Sequence, residues 1–312
     1  MSARLLEFLE KIRVFTGKAD RYLRAAGKAL LMLAGLLILA RFGRSWGQHF
    51  LTAPVIAVFT AAAAFLPAGF FTFGVFVAAL GMLFQLSLEA ALLMLLASLL
   101  MLVLYYSFRP HHRVIAGVFL VMVLAGFPEA ALLLLPLFVT PFALIPMAFG
   151  YLGAVYLQTV AGNLSTITTA ESAGETISAE LLIQLAGGFV NRQVILWFGA
   201  AAVVFTVMWL IRRQAFPFAH TVAVGAGALL WLAAVLFFGL GSVGAAVLHT
   251  VLGVLVALVV LGFRVPGDFT RTEYVEFEDD DYYYYVKAVP KLKVPLGRTQ
   301  VKTFNQQDGS SR

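Results

Sequence analysis

Two carboxylates, Glu89 and Glu129, stand inside long apolar tracts of a chain that otherwise keeps its acids near its ends and in one polar segment. A charge in hydrocarbon is costly and is by default a candidate for function, because it could hold a cation, carry a proton or pair with a cation on a neighbouring helix. Local sequence offers a structural role as well. Ser87-Leu88-Glu89 and Pro128-Glu129 both read as helix starts, with Ser as N-cap, Pro at the first helical position and a carboxylate where the helix dipole favours negative charge. Arg41 and Arg44 close the first apolar tract, and a cluster of these arginines with Glu89 and Glu129 is the expected ionic centre. His220 and His249 lie in the last two apolar tracts, where an imidazole serves either as a hydrogen-bonded packing residue or as a proton relay.

Other chemistries lack the residues they need. The chain has no Cys, which excludes disulfides, thiolate metal sites and cysteine nucleophiles. His111 and His112 are adjacent, so on a helix their rings diverge and chelate poorly. Zinc-protease, nucleophile-elbow and phosphate-loop patterns are missing. No catalytic residue, no metal site and no cofactor is expected, and the reading is not that of an enzyme.

The elements that must position these residues follow from composition. Of 312 residues 61% are apolar and 12% charged, and the mean hydropathy is +0.92. Soluble domains run near 45–50% apolar and about 25% charged, so an ordinary water-soluble enzyme is excluded. A hydrocarbon core of ~30 Å takes about 20 apolar residues per helix. The tracts predict spans over 26–45, 50–66, 68–85, 88–107, 113–126, 128–140, 142–160, 193–211, 216–238 and 243–262. The stretches 113–126 and 128–140 are short and interrupted by Pro128, Pro136 and Pro141, which leaves open two thin spans or one re-entrant hairpin. The fold expected is an all-α polytopic transmembrane helix bundle of about 7–10 spans.

The formal charge of +6 reads as topology, with no nucleic-acid partner. With the N-terminus inside, all of the 22 basic residues except Arg41, Arg44 and Arg192 fall on the cytoplasmic side, which puts both termini there. Trp197 and Trp209 then mark the two ends of one span, as an aromatic belt would. Residues 1–28 form a basic amphipathic cytoplasmic helix, suited to an anionic leaflet or to packing on the protein. Residues 29–160 make a first bundle, 161–192 an exterior loop with a short helix around Ala179 to Leu185, 193–263 a second bundle and 264–312 a cytoplasmic tail. Gly225, Gly227, Gly239, Gly241, Gly244 and Gly253 predict close helix packing in the second bundle or against a partner. Gly74-Val75-Phe76-Val77 leading to Leu88-Glu89-Ala90-Ala91 is echoed by Gly117-Val118-Phe119-Leu120 leading to Pro128-Glu129-Ala130-Ala131. The echo is either a parallel repeat of a hairpin or a coincidence of Leu/Ala-rich sequence.

The tail is the most individual segment. Glu273 to Glu278 alternates charged with aromatic or β-branched residues, Asp279, Asp280 and Asp281 offer a turn, and Tyr282, Tyr283, Tyr284, Tyr285, Val286 and Lys287 follow. This predicts a small β-hairpin, with Glu273 or Glu276 across from Lys287 or Lys291. An isolated hairpin is marginal in water, so Tyr274, Phe277, Asp279–Asp281, Tyr282–Tyr285 and Lys287 form the expected docking face for another copy or for other subunits. The run from Thr272 to Lys291 resembles the signature of a group of uncharacterised multi-spanning membrane proteins of Gram-positive bacteria, and Ser87-Leu88-Glu89 is similar to the same group. That resemblance implies a plasma membrane and a permease-like label, and it carries no substrate residue to this chain. The function expected is an integral membrane subunit of a transport system, or alternatively a non-catalytic scaffold that gathers partners through its tail.

Overall fold

The computed structural model describes residues 3–44, 46–47, 50–105, 112–173, 178–189, 191–214, 218–268, 273–278 and 283–288. Residues 19–261 form one compact helical unit. Its elements are α1 (Ala3–Arg44, which begins outside the unit), α2 (Ala53–Phe65), α3 (Phe70–Phe84), α4 (Leu88–Tyr105), α5 (Ile115–Leu124), α6 (Pro128–Leu134), α7 (Leu144–Gly162), α8 (Leu164–Ser172), α9 (Ala179–Gly187), α10 (Arg192–Arg212), α11 (Ala219–Phe238) and α12 (Val243–Asp268). Short 3₁₀ turns precede α5, follow α6 and precede α7.

Five segments are long and apolar enough to cross a membrane: Arg21–Arg44, Pro141–Gly162, Ala179–Arg212, Ala219–Phe238 and Val243–Gly262. Five more apolar helices, covering Ala53–Phe65, Phe70–Phe84, Leu88–Val103, His112–Leu124 and Pro128–Leu137, have only 10–17 residues each. At 1.5 Å per residue these fall short of a ~30 Å core. The chain is thus an all-α bundle of long helices with short ones among them. The amphipathic N-terminal stretch and the first span are one continuous helix, α1, with no break at residue 28.

Most of the long helices turn a narrow buried stripe inward, whereas α7 is buried over more than half of its surface. On α1 the stripe is Met32, Leu36, Leu39 and Ala40, while Leu30, Leu31 and Leu37 face outward. On α12 it is Ala246, Thr250, Ala257 and Leu261, with Val247, Leu248, Val251, Leu255 and Val259 exposed. An apolar exterior around an apolar interior is what a lipid solvent permits. The halves expected as two bundles share one core: Phe119 and Tyr151 from the first pack on Trp197 from the second, and all three are buried.

Two helical hairpins set the site. In the first, α3 ends at Gln85 and α4 starts at Leu88 behind the Ser87 side chain, whose Oγ accepts the Ala90 N–H at 3.3 Å. In the second, α5 ends on Gly126 at φ +84°. The Phe127 N–H bonds the Met122 carbonyl at 2.9 Å and the Gly126 N–H bonds that of Val123 at 3.1 Å. This pair of bonds is a Schellman stop, and Pro128 at the first position then begins α6. The Thr72 hydroxyl donates to the Arg113 carbonyl at 2.6 Å and accepts the Gly117 N–H at 3.1 Å, clasping the hairpins together. Helix α7 lies against α5 so closely at Gly150 that a Cβ there would overlap the Ala116 carbonyl oxygen.

The segment expected as a loop holds a helix the sequence reading missed, α8, and the expected one, α9, whose Ser178 cap accepts the Leu181 N–H at 3.3 Å. Of the six late glycines, Gly227 packs under Met208 and Gly253 against α6. Gly225, Gly239, Gly241 and Gly244 face open space, and Gly239 ends α11 in the left-handed conformation. A second unit comprises residues 1–18 and 262–312. Asp279, Asp280, Asp281, Tyr282 and Lys291 lie outside the described residues, as do His49 and His111.

Candidate functional site

The two intramembrane acids have the same local grammar. Each is the second residue of a short-hairpin helix, in the first turn where backbone N–H groups lack helical partners. Their surroundings differ. Glu89 is half-buried, and its Oε2 accepts a hydrogen bond from the Ser87 hydroxyl at 2.8 Å. The cap itself is Ser87, and Glu89 holds that hydroxyl in place. Glu129 is 7% exposed, and its Oε2 lies 3.5 Å from His249 Nδ1 on α12.

The pair is assembled by three local features. The Schellman turn at Gly126 aims Phe127 at α12, where its ring sits 4.7 Å from that of His249. Pro128 fixes the first turn of α6, so Glu129 follows at a set angle. Gly253, one turn past His249, lets α12 approach α6: a Cβ there would stand 3.1 Å from Ala130 Cα and 3.2 Å from a Leu133 methyl. His249 lies roughly 9 Å along the axis from the first residue of α12, at 1.5 Å per residue.

Behind the pair stands a wall of rings. Tyr151 stacks on Trp197 at 4.2 Å with planes 12° apart, Trp197 meets Trp231 edge-on at 5.2 Å, and Phe119 meets Trp197 edge-on at 5.9 Å. Glu129 is within electrostatic reach of Tyr151. Elsewhere in the core the Thr250 hydroxyl and the Trp231 indole N–H are buried with no hydrogen-bond partner among the described residues. A buried carboxylate facing an imidazole can take up or release a proton.

The expected ionic cluster does not form. Arg41 and Arg44 end α1, exposed, in the last turn where cations suit the dipole. Arg44 lines a small cleft with Gly43, Thr52 and Met82, and no ion pair joins either arginine to Glu89 or Glu129 among the described residues. The reason is packing: α1 lies on α3, where Gly35 faces Phe71 and Gly74 faces Met32, whereas Glu129 faces α12. His220 sits half-buried in the first turn of α11. Trp197, expected in an interfacial belt, is buried against Tyr151, while Trp209 is half-buried with the Arg213 guanidinium 4.7 Å over its ring. Sequence reading singled out Glu129 and His249 separately. It missed their pairing and the rings behind them, and the only local signal was the Gly126-Phe127-Pro128 turn.

Fold and site together define a multi-pass helical membrane protein with an acid–imidazole pair in its core. Compared with protein-family models, with curated proteins and with solved structures, the chain matches none. Whatever is said of its activity therefore rests on its own residues.

Proposed function

We propose that the chain is the membrane subunit of a permease-like transport system, and that Glu129 and His249 carry a proton or a small cation through its bundle. One observation carries this reading: a buried carboxylate oxygen lies 3.5 Å from an imidazole nitrogen on a different helix. An ionisable group at such depth is expensive to keep unless it is used. Glu129 Oε2 takes up the proton and His249 Nδ1 receives it, or the reverse, while the Tyr151–Trp197 stack keeps bulk water from short-circuiting the transfer. In this reading α12, which carries His249, is the element that moves to expose the pair to one side and then the other.

In this reading the short apolar helices complete seven to ten spans, with α5 and α6 as a re-entrant hairpin. The distribution of Lys and Arg favours both termini on the cytoplasmic side, the tail's resemblance favours a bacterial plasma membrane, and in this reading the tail docks a second copy or other subunits. A second reading, a non-catalytic scaffold, is favoured by one observation: the three grooves along α1 and α2 do not reach the pair. The test uses purified full chain in liposomes with an imposed potassium-diffusion potential and an enclosed pH dye. Wild type should admit protons faster than empty liposomes, and Glu129→Gln should lower that rate at least tenfold. Wild-type flux equal to that of empty liposomes overturns the transport reading, and loss of co-purifying proteins on removal of residues 264–312 would then support the scaffold.

A further inference from the structure

The turn that joins α5 to α6 lies directly against the Glu129–His249 pair. Burial deepens within two residues of it, from 38% exposed at Phe127 to 7% at Glu129. Phe127 has little freedom in that turn. Gly126 holds φ +84° before it, its own N–H is tied to the Met122 carbonyl at 2.9 Å, and Pro128 follows as the first residue of α6. A backbone fixed on both sides sets the direction of the ring, whose centroid stands 4.7 Å from that of the His249 imidazole. The His249 side chain is the more accessible member of the pair, 22% exposed against 10% for that of Glu129, and it is the member that the Phe127 ring covers. On the far side of His249, one turn along α12, Gly253 packs so closely on α6 that a Cβ would stand 3.1 Å from Ala130 Cα.

We infer that Phe127 is the specificity-determining residue of the pair: its ring shields His249 so that a proton reaches the imidazole and a metal cation does not. The need for such a shield follows from the geometry of the pair. A carboxylate oxygen and an imidazole nitrogen both bind zinc, and two such ligands on a tetrahedral ion with bonds of ~2.1 Å stand about 3.4 Å apart. Glu129 Oε2 and His249 Nδ1 are 3.5 Å apart, so an open pair would serve as two ready ligands. A metal ion has to shed water to pass a hydrocarbon ring that offers no ligand in exchange, and that desolvation is costly. A proton needs only one transient water at the ring edge. The shielding stands on the ring contact alone, whereas its use in selection rests on the transport reading, so the two are tested separately.

For the shield, diethyl pyrocarbonate is applied to the full chain in detergent, and acylation of the His249 peptide is followed by mass spectrometry. His249 should react at least tenfold faster in Phe127→Ala than in wild type. Phe127→Tyr, which keeps the ring, should react as slowly as wild type, and Phe127→Leu should fall between. Phe142→Ala removes a more exposed ring, 74% against 38%, and should leave the rate unchanged. The tyrosine and leucine variants decide the matter even where Phe127→Ala fails to fold. For selection, liposomes carry zinc on both faces, and proton entry through Phe127→Ala should be blocked at a zinc concentration at least tenfold below that which blocks wild type. Equal His249 acylation in wild type, Phe127→Leu and Phe127→Ala overturns the shield whatever the flux. Equal zinc sensitivity overturns its role in selection, and wild type without proton entry overturns the transport reading while the acylation rates still judge the shield.

Discussion

The α3–α4 and α5–α6 hairpins begin their second helices in the same way, with an acid in the second position, yet one acid braces the neighbouring Ser87 cap and the other faces an imidazole. Glu89 leans on Ser87, two residues away, and is half-buried. Glu129 has no such neighbour, because Phe127 and Pro128 offer no hydroxyl, and its partner arrives from α12. What separates structural from chemical carboxylates here is the source of the partner. A local partner satisfies the charge where it stands, whereas a distant one makes it depend on how two helices meet.

That contrast can be broken in order of expected effect. Removing one member of a buried ion pair strands the other, typically at a cost of 3–5 kcal/mol, whereas replacing both by apolar groups of similar volume is close to neutral. His249→Ala should therefore lower thermal unfolding in detergent by about 3 kcal/mol. The pair Glu129→Leu with His249→Leu should recover most of that loss while proton entry stays abolished. Additive losses in that double-mutant cycle would show that the two side chains do not interact. Next comes the approach of α12: Gly253→Leu places side-chain atoms against Ala130 and Leu133 and should cost about 2 kcal/mol by overpacking. It should also slow proton entry, although Gly253 bears no polar group. Smallest are the changes at the other hairpin. Ser87→Ala should cost about 1 kcal/mol through the lost cap, and Glu89→Gln about 0.5 kcal/mol through the dipole. Neither should alter flux. A flux loss from Glu89→Gln as large as that from Glu129→Gln would erase the distinction drawn here.

Much of the helical layout is legible in the sequence because punctuation is local. The spans expected at 88–107, 193–211 and 216–238 correspond to Leu88–Tyr105, Arg192–Arg212 and Ala219–Phe238, bounded by the Ser87 and Asn191 caps and by Gly239. The same locality explains the α5–α6 turn, written as Gly126-Phe127-Pro128. What is not legible is which faces meet. The long helices are apolar all round, so no polar stripe marks the side that turns inward, and Trp197 reads equally well as a belt residue or a core residue until Tyr151 is placed beneath it. The Arg41/Arg44 cluster misled for this reason: membership of one membrane face says nothing about which helices are neighbours. The helix α8 escaped because its Ser/Thr-rich sequence is far less apolar than the spans, and it forms as a continuation of α7 past Asn163.

The short reach of α6 has an electrical consequence. If α12 begins at the membrane boundary, then under the proposed transport reading a proton reaching His249, roughly 9 Å along that helix from its start, would have traversed about a third of a ~30 Å insulating layer. A full crossing is worth about 2.3 kcal/mol per 100 mV, so that step alone carries roughly 0.7 kcal/mol per 100 mV. Occupancy of the pair would then respond to cell voltage by about threefold across that range, making the resting state of an energised cell different from that of a depolarised one.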